Sequence, residues 1–198
     1  MIGDEMNYPN GIKKELNHIS SHKSINYSNR GMTLESELND TNEYYRFEKK
    51  AYIYKKPTPI KITKVDYPSR DKAIIKEAFF TIPSTTDYNG LYQGRYIDFE
   101  AKETKSKTAF TLRNIHEHQI KHIKDIYENN GIVFLIIRFT TLNETYLLTA
   151  EKFLDFLNKE KRESIPIHYF RKEAYLIKDS YKPRIDYLKI VDGLIGGN

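Results

Sequence analysis

The stretch from Asp87 to Lys102 constrains this chain most. It reads Asp87-Tyr88-Asn89-Gly90 and, after a short gap, Gly94-Arg95-Tyr96-Ile97-Asp98-Phe99-Glu100-Ala101-Lys102. The Asn89-Gly90 and Gly94-Arg95 pairs mark the turn of a β-hairpin, with Tyr96 to Lys102 as the returning strand. Side chains on a strand alternate between faces, so Glu100 and Lys102 project together while Ala101 points into the core. Asp87, at the start of the hairpin, comes close to Glu100. Two carboxylates and an amine at one spot are costly to pack for structure alone, but they suit a hard divalent cation and a hydrolytic water. In that reading Asp87 and Glu100 are ligands and the Ala101 carbonyl is a third oxygen. Lys102 positions or deprotonates the water and faces the charge developing on phosphate. The residues alone also fit a surface hairpin whose Glu-x-Lys is an ordinary ion pair. Arg184-Ile185-Asp186-Tyr187-Leu188-Lys189 has the same flavour without the right carboxylates.

Charge distribution adds a partner. The net charge of the 198 residues is only +5. Between residues 55 and 76, however, Lys55, Lys56, Lys61, Lys64, Arg70, Lys72 and Lys76 are opposed only by Asp66 and Asp71. Such an arm is either a solvated face or a contact for a phosphate backbone. The absence of cysteine excludes disulfides, thiolate zinc sites and a cysteine nucleophile. No run approaches the ~18 apolar residues that span a bilayer, and no secretory signal opens the chain, so a cytoplasmic protein is expected.

The pattern predicts an α/β fold. Residues 1–28 read as a polar, disordered lead, and residues 29–198 as one domain carrying an insertion at 57–80. A helix is expected from about Met32 to Lys50, capped by Thr33, with Leu34, Leu38 and Tyr45 on one face. Ala51 to Tyr54 reads as a strand. Ile60 to Tyr67 and Ala73 to Phe80 read as an extended basic hairpin. Further on come a helix from about Leu112 to Asn129, a buried strand at 132–138, a strand at 145–148 and a helix at 150–161. Ile185 to Val191 is strand-like. His118 and His122 are spaced i, i+4, but they lack a His-Glu-x-x-His pattern and a fixed third ligand, so no zinc site is assigned. Glu35 either completes a metal site across the core or complements the dipole of the first helix.

Several segments resemble the RecU family of Holliday-junction resolvases, within the PD-(D/E)xK nuclease superfamily. They are Met6 to Gly11, Asn29 to Glu35, Lys55-Lys56-Pro57-Thr58-Pro59, Val65 to Pro68, Ser84 to Gly90, Tyr96 to Lys105 and Pro183 to Tyr187. The likeness runs from Met6 to the C-terminus; Met1 to Glu5 is an extension, and Asn17 to Tyr27 departs from it. The resemblance implies a restriction-endonuclease-like fold, a mixed central sheet flanked by helices with a protruding basic β-hairpin stalk. It also implies a homodimer that cleaves four-way junction DNA with Mg2+, Mn2+ substituting. Its catalytic residues fall on Asp87, Glu100 and Lys102, and its metal positions on Thr85, Asp87, Glu100 and Gln119. On a strand Thr85 would share a face with Asp87 and Thr86 would point away. Gln119 reads equally as an amide satisfied inside the core.

By the same resemblance the stalk enters the junction, with Phe79 or Phe80 as a wedge between bases, although paired aromatics at a strand end also suit a core. Arg30, Lys55, Lys56, Lys64, Arg70 and Lys76 become DNA contacts. A recombinase and branch-migration proteins become possible partners. Two rivals stand beside this reading: a non-catalytic junction-binding architectural protein, and an endonuclease for ordinary duplex DNA.

Overall fold

The structure, a computed structural model, describes residues 33–70, 72–81 and 85–196. The expected disordered lead and Arg30 lie outside the described residues.

Helix α1 (Leu34–Phe47) starts where the sequence says it should. Thr33 Oγ1 accepts the Ser36 N–H at 3.2 Å, Glu35 and Glu37 occupy the first turn, and Leu34, Leu38 and Tyr45 form one buried stripe. Strand β1 (Tyr52–Lys55) follows, then β2 (Ile60–Ser69), β3 (Lys72–Phe80), β4 (Tyr88–Tyr92), β5 (Arg95–Thr104) and β6 (Ala109–Thr111). Helix α2 (Glu117–Glu128) leads into β7 (Ile132–Phe139) and β8 (Glu144–Thr149). The chain closes with α3 (Ala150–Lys159), β9 (Ser164–Pro166), α4 (Ile167–Glu173), β10 (Tyr175–Ile177) and α5 (Leu188–Ile195).

Six strands form one mixed sheet in the order β1-β4-β5-β7-β8-β10, with β5 and β7 parallel and the other pairs antiparallel. The expected mixed sheet flanked by helices is what the chain forms. Alternation divides its two faces. Ile97, Phe99, Phe134 and Ile136 pack with Leu34, Leu38, Tyr45, Tyr187, Leu188 and Val191, so α1 and α5 cover that side. Val133, Leu135, Ile137 and Phe139 pack with Ile123, Phe153, Phe156 and Phe170, so α2, α3 and α4 cover the other. On the first face Tyr88, Phe99 and Phe134, paired in register across three strands, stack with centroids 4.7 and 4.9 Å apart. Among the described residues no helix is long and apolar enough to cross a membrane.

Strands β2 and β3 pair only with each other, and almost every residue in them is exposed. Phe79 and Phe80, at 56% and 83% exposure, therefore belong to no core.

Four expectations need correcting. The hairpin turn is Gln93-Gly94, both at positive φ (47° and 74°), and Asn89-Gly90 lies inside β4. Gly90 is there for closeness: a Cβ on it would sit 2.1 Å from the Tyr52 carbonyl oxygen of β1. The helix expected from Leu112 begins at Glu117, because β6 pairs with β9 and Leu112 N–H bonds the Glu163 carbonyl at 2.9 Å, leaving only a 3-10 turn at Leu112–Asn114. Residues 188–195 are helical, not a strand; Leu188 and Val191, three apart, bury one helical face. Finally, Thr85 and Asp87 lie in bends, and β4 begins only at Tyr88, so strand alternation does not govern Thr85.

Replacing Gly90 with alanine is expected to lower stability in urea unfolding by about 1–3 kcal/mol, since the clash is with backbone. An unchanged midpoint would contradict this account of the β1–β4 approach.

Candidate active site

Strand β5 lies between β4 and β7, which buries its middle. Its even-numbered residues face the α2 side, so Asp98 and Glu100, with no side-chain exposure, point where an apolar chain would be expected. Glu100 sits across from Leu135 of β7. The backbone N–H of Asp87 donates to Glu100 Oε2 at 3.1 Å, and Asp87 Oδ2 accepts the Ala101 N–H at 3.4 Å. Lys102 Nζ lies 2.5 Å from Glu100 Oε1 and 4.0 Å from Asp87 Oδ2. Asp87 and Lys102 are about one-third exposed, so the three side chains meet where the core opens to solvent.

Burial pushes the Glu100 carboxyl up to about 7, with the Asp87 charge adding to the rise and the Lys102 ammonium opposing it. Glu100 Oε1 is paired with that ammonium, and Oε2 takes the Asp87 N–H. A buried carboxylate beside a second, partly exposed one, with a single ammonium against the two, is an oxygen-rich set that fits a hard divalent cation.

The structure thus brings Asp87, Glu100 and Lys102 together. Among the described residues Thr85 and Gln119 share no hydrogen bond with them. Thr85, half-buried, approaches the Thr86 carbonyl at 3.5 Å. Gln119 is buried, and its Oε1 accepts the His116 N–H at 3.0 Å, closing the start of α2. Glu35 remains in the first turn of α1, its carboxylate on Lys55 at 2.5 Å.

Of the expected DNA contacts, Lys64, Arg70 and Lys76 are exposed on the β2–β3 ribbon, where Lys76 lies 3.6 Å from Asp66. Lys55 is half-exposed beside Glu35. Lys56 turns inward instead, its ammonium 2.8 Å from Asp98 Oδ2. Sequence reasoning passed over the cluster it joins, made of Asp98, Thr86, Tyr96 and His122. The available signal was alternation, which sets Asp98 on the same face as Glu100.

A mixed sheet flanked by helices, with Asp98, Glu100 and Lys102 in a row on its central strand and Asp87 beside them, defines an α/β domain with an acidic site at its centre. Residues 29–193 match the family described as RecU, Recombination protein U. Holliday junction resolvase RecU of Staphylococcus carnosus (strain TM300) is 53% identical over 200 residues, covering 96% of this chain and 96% of its own. The protein of the same name from Staphylococcus aureus (strain JH9) is 51% identical over the same share of each chain. The chain belongs to the RecU family. Among solved structures, Archaeoglobus fulgidus Hjc, a Holliday junction resolvase, is 7% identical with a TM-score of 0.39, over 66% of this chain and 86% of that one, a similarity too loose to define a fold.

The raised Glu100 carboxyl has a consequence for stability. The folded state binds this proton more tightly than the unfolded chain, so its contribution is fully present below about pH 4.5 and is lost as pH rises through about 7. Glu100→Gln is therefore expected to stabilise the metal-free protein at pH 8 by on the order of 2–3 kcal/mol, with little gain at pH 4.5. Thermal unfolding of both proteins at the two pH values checks this; a Gln variant less stable than wild type at pH 8 would contradict the proposed ionisation cost.

Proposed function

We propose that this chain is a Mg2+-dependent endonuclease that resolves Holliday junctions by paired nicking of opposed strands, acting as a homodimer in recombination and repair. The observation that carries the reading is the meeting of the fully buried Glu100 carboxylate with Asp87 and Lys102, both partly open to solvent. Membership of a family whose curated relatives bear the name Holliday junction resolvase supports the choice of substrate.

Asp87 and Glu100 would hold the cation, Mg2+ or Mn2+, with the Ala101 carbonyl as a third oxygen and Thr85 and Gln119 as further oxygen donors. Bound there, a divalent cation supplies charge neutralisation at the phosphate and a more acidic water. Everything else falls to the chain. Ala101 N–H holds the Asp87 carboxylate in place, and the Asp87 N–H fixes the second Glu100 oxygen, so neither acid reorganises when charge develops. Lys102, fixed by both acids yet partly open to solvent, orients the attacking water and faces the negative charge gathering on the phosphate.

Residues 29–198 would form the nuclease domain, with 57–80 as the stalk that enters the junction. Lys64 and Lys76 project from exposed strands that belong to no packed layer, Arg70 from the turn at one end of the ribbon and the bare ring of Phe80 from the other, which suits phosphate contacts and a stacking wedge. Lys55 would extend the phosphate track, and Arg30, outside the described residues, would be a further DNA contact. Two active sites related by a twofold axis would let one dimer cut two opposed strands. A cytoplasmic location, with recombinase and branch-migration proteins as partners, follows from the same reading.

Cleavage of a synthetic mobile four-way junction, compared with linear duplex of equal length, tests the proposal. Wild type with Mg2+ is expected to nick the junction in preference to the duplex. Asp87→Asn and Lys102→Ala are expected to lose at least ~10²-fold in nicking rate while binding junctions as wild type does. Wild type that binds junctions but never nicks them would leave an architectural protein. Equal cutting of duplex would leave a general endonuclease.

A further inference from the structure

Asp87 lies in a bend ahead of β4, so no strand ladder fixes the direction of its side chain. Its neighbourhood does. The Lys56 N–H donates to the Asp87 carbonyl at 2.8 Å. The Lys56 ammonium then reaches Thr86 Oγ1 at 3.0 Å and Asp98 Oδ2 at 2.8 Å. The Thr86 hydroxyl donates to Asp98 Oδ1, so Lys56, Thr86 and Asp98 close a ring of contacts against the peptide that carries Asp87.

Asp98 is the hub. It has no exposure, and it also receives the Tyr96 hydroxyl at 2.9 Å and lies 3.2 Å from His122 Nε2. Four groups converging on one buried carboxylate exceed what a packing role asks for, because an apolar residue there would cost no desolvation. The geometry instead links two neighbours: Asp98 is two residues from Glu100 on the same face of β5, and Thr86 is adjacent to Asp87.

We propose that Asp98, with Lys56 and Thr86, is a positioning cluster that sets Asp87 against Glu100 and thereby fixes the affinity of the pair for a divalent cation. This rests on the nuclease reading above. It also takes Lys56 out of the DNA-contacting set, since its ammonium is committed to Asp98 and Thr86. Groups that orient metal-binding carboxylates typically govern metal affinity by 10–100-fold when removed.

The test is Mn2+ binding to the DNA-free protein, followed by electron paramagnetic resonance, beside single-turnover nicking of a four-way junction across a metal titration. Thr86→Val keeps the side-chain shape and deletes the hydroxyl; Thr86→Ser restores it. Thr86→Val and Asp98→Asn are each expected to raise the Mn2+ dissociation constant about 10–100-fold. Thr86→Ser is expected to bind like wild type. Saturating metal is expected to recover most of the nicking rate, and Lys56→Met to leave the salt dependence of junction binding unchanged. Should Asp98→Asn fail to fold, the Val/Ser pair at residue 86 decides alone. A Thr86→Val protein with lowered thermal stability but wild-type Mn2+ affinity overturns the positioning role and leaves the nuclease reading intact. A wild type that neither binds Mn2+ nor nicks junctions overturns the nuclease reading itself, and this inference with it.

Discussion

A carboxylate buried on the central strand of the sheet governs the rest of this molecule. Glu100 has no solvent-exposed surface, and burial penalises its charge enough to push its carboxyl to about 7. Such a group persists in a fold only when something offsets its charge. Here Lys102 does so in part, and Asp87 works against it. The sum is a site with two carboxylates against one ammonium and an opening to solvent past Asp87 and Lys102. A hard divalent cation answers both conditions, which is why the cluster reads as a cation site and not as a structural ion pair.

The same strand supplies the rigidity that such a site needs. Its odd-numbered residues, led by Phe99, lock into a stack of rings that runs from Tyr88 through Phe134, with Tyr187 against it. Its even-numbered residues form the polar row Asp98, Glu100 and Lys102. A slip of one residue in the β4–β5–β7 register would exchange the two sets and destroy both at once. Packing and chemistry are therefore specified together, and Gly90, which lets β1 close on β4, belongs to the same frame.

Much of this was legible from residue order. Alternation alone put Glu100 and Lys102 on one side of a strand, and the Thr33 cap and the stripe of Leu34, Leu38 and Tyr45 located the first helix. What was not legible depended on long-range pairing. Asn89-Gly90 has the composition of a turn, but its glycine answers to the approach of β1, a contact made with residues almost forty positions earlier. The start of α2 was displaced by pairing between β6 and β9, which no local pattern announces. In the tail, Ile190-Val191 looked like a strand because β-branched residues dominate locally, whereas the spacing of Leu188 and Val191 was helical. At the site itself, composition places Lys56 in a basic arm. Only its fold partner, 42 residues away, reveals that its ammonium is internal.

The most direct measurement is the titration of the Glu100 side-chain carboxyl by 13C NMR, with and without Mg2+ and in the absence of DNA. The expected result is a midpoint near 7 for the metal-free protein, as burial and Asp87 dictate, falling well below that when Mg2+ is present. A midpoint near 4.5 that Mg2+ leaves unmoved would mean that the buried acid neither bears the cost of its position nor holds a cation, and would contradict the account at its centre.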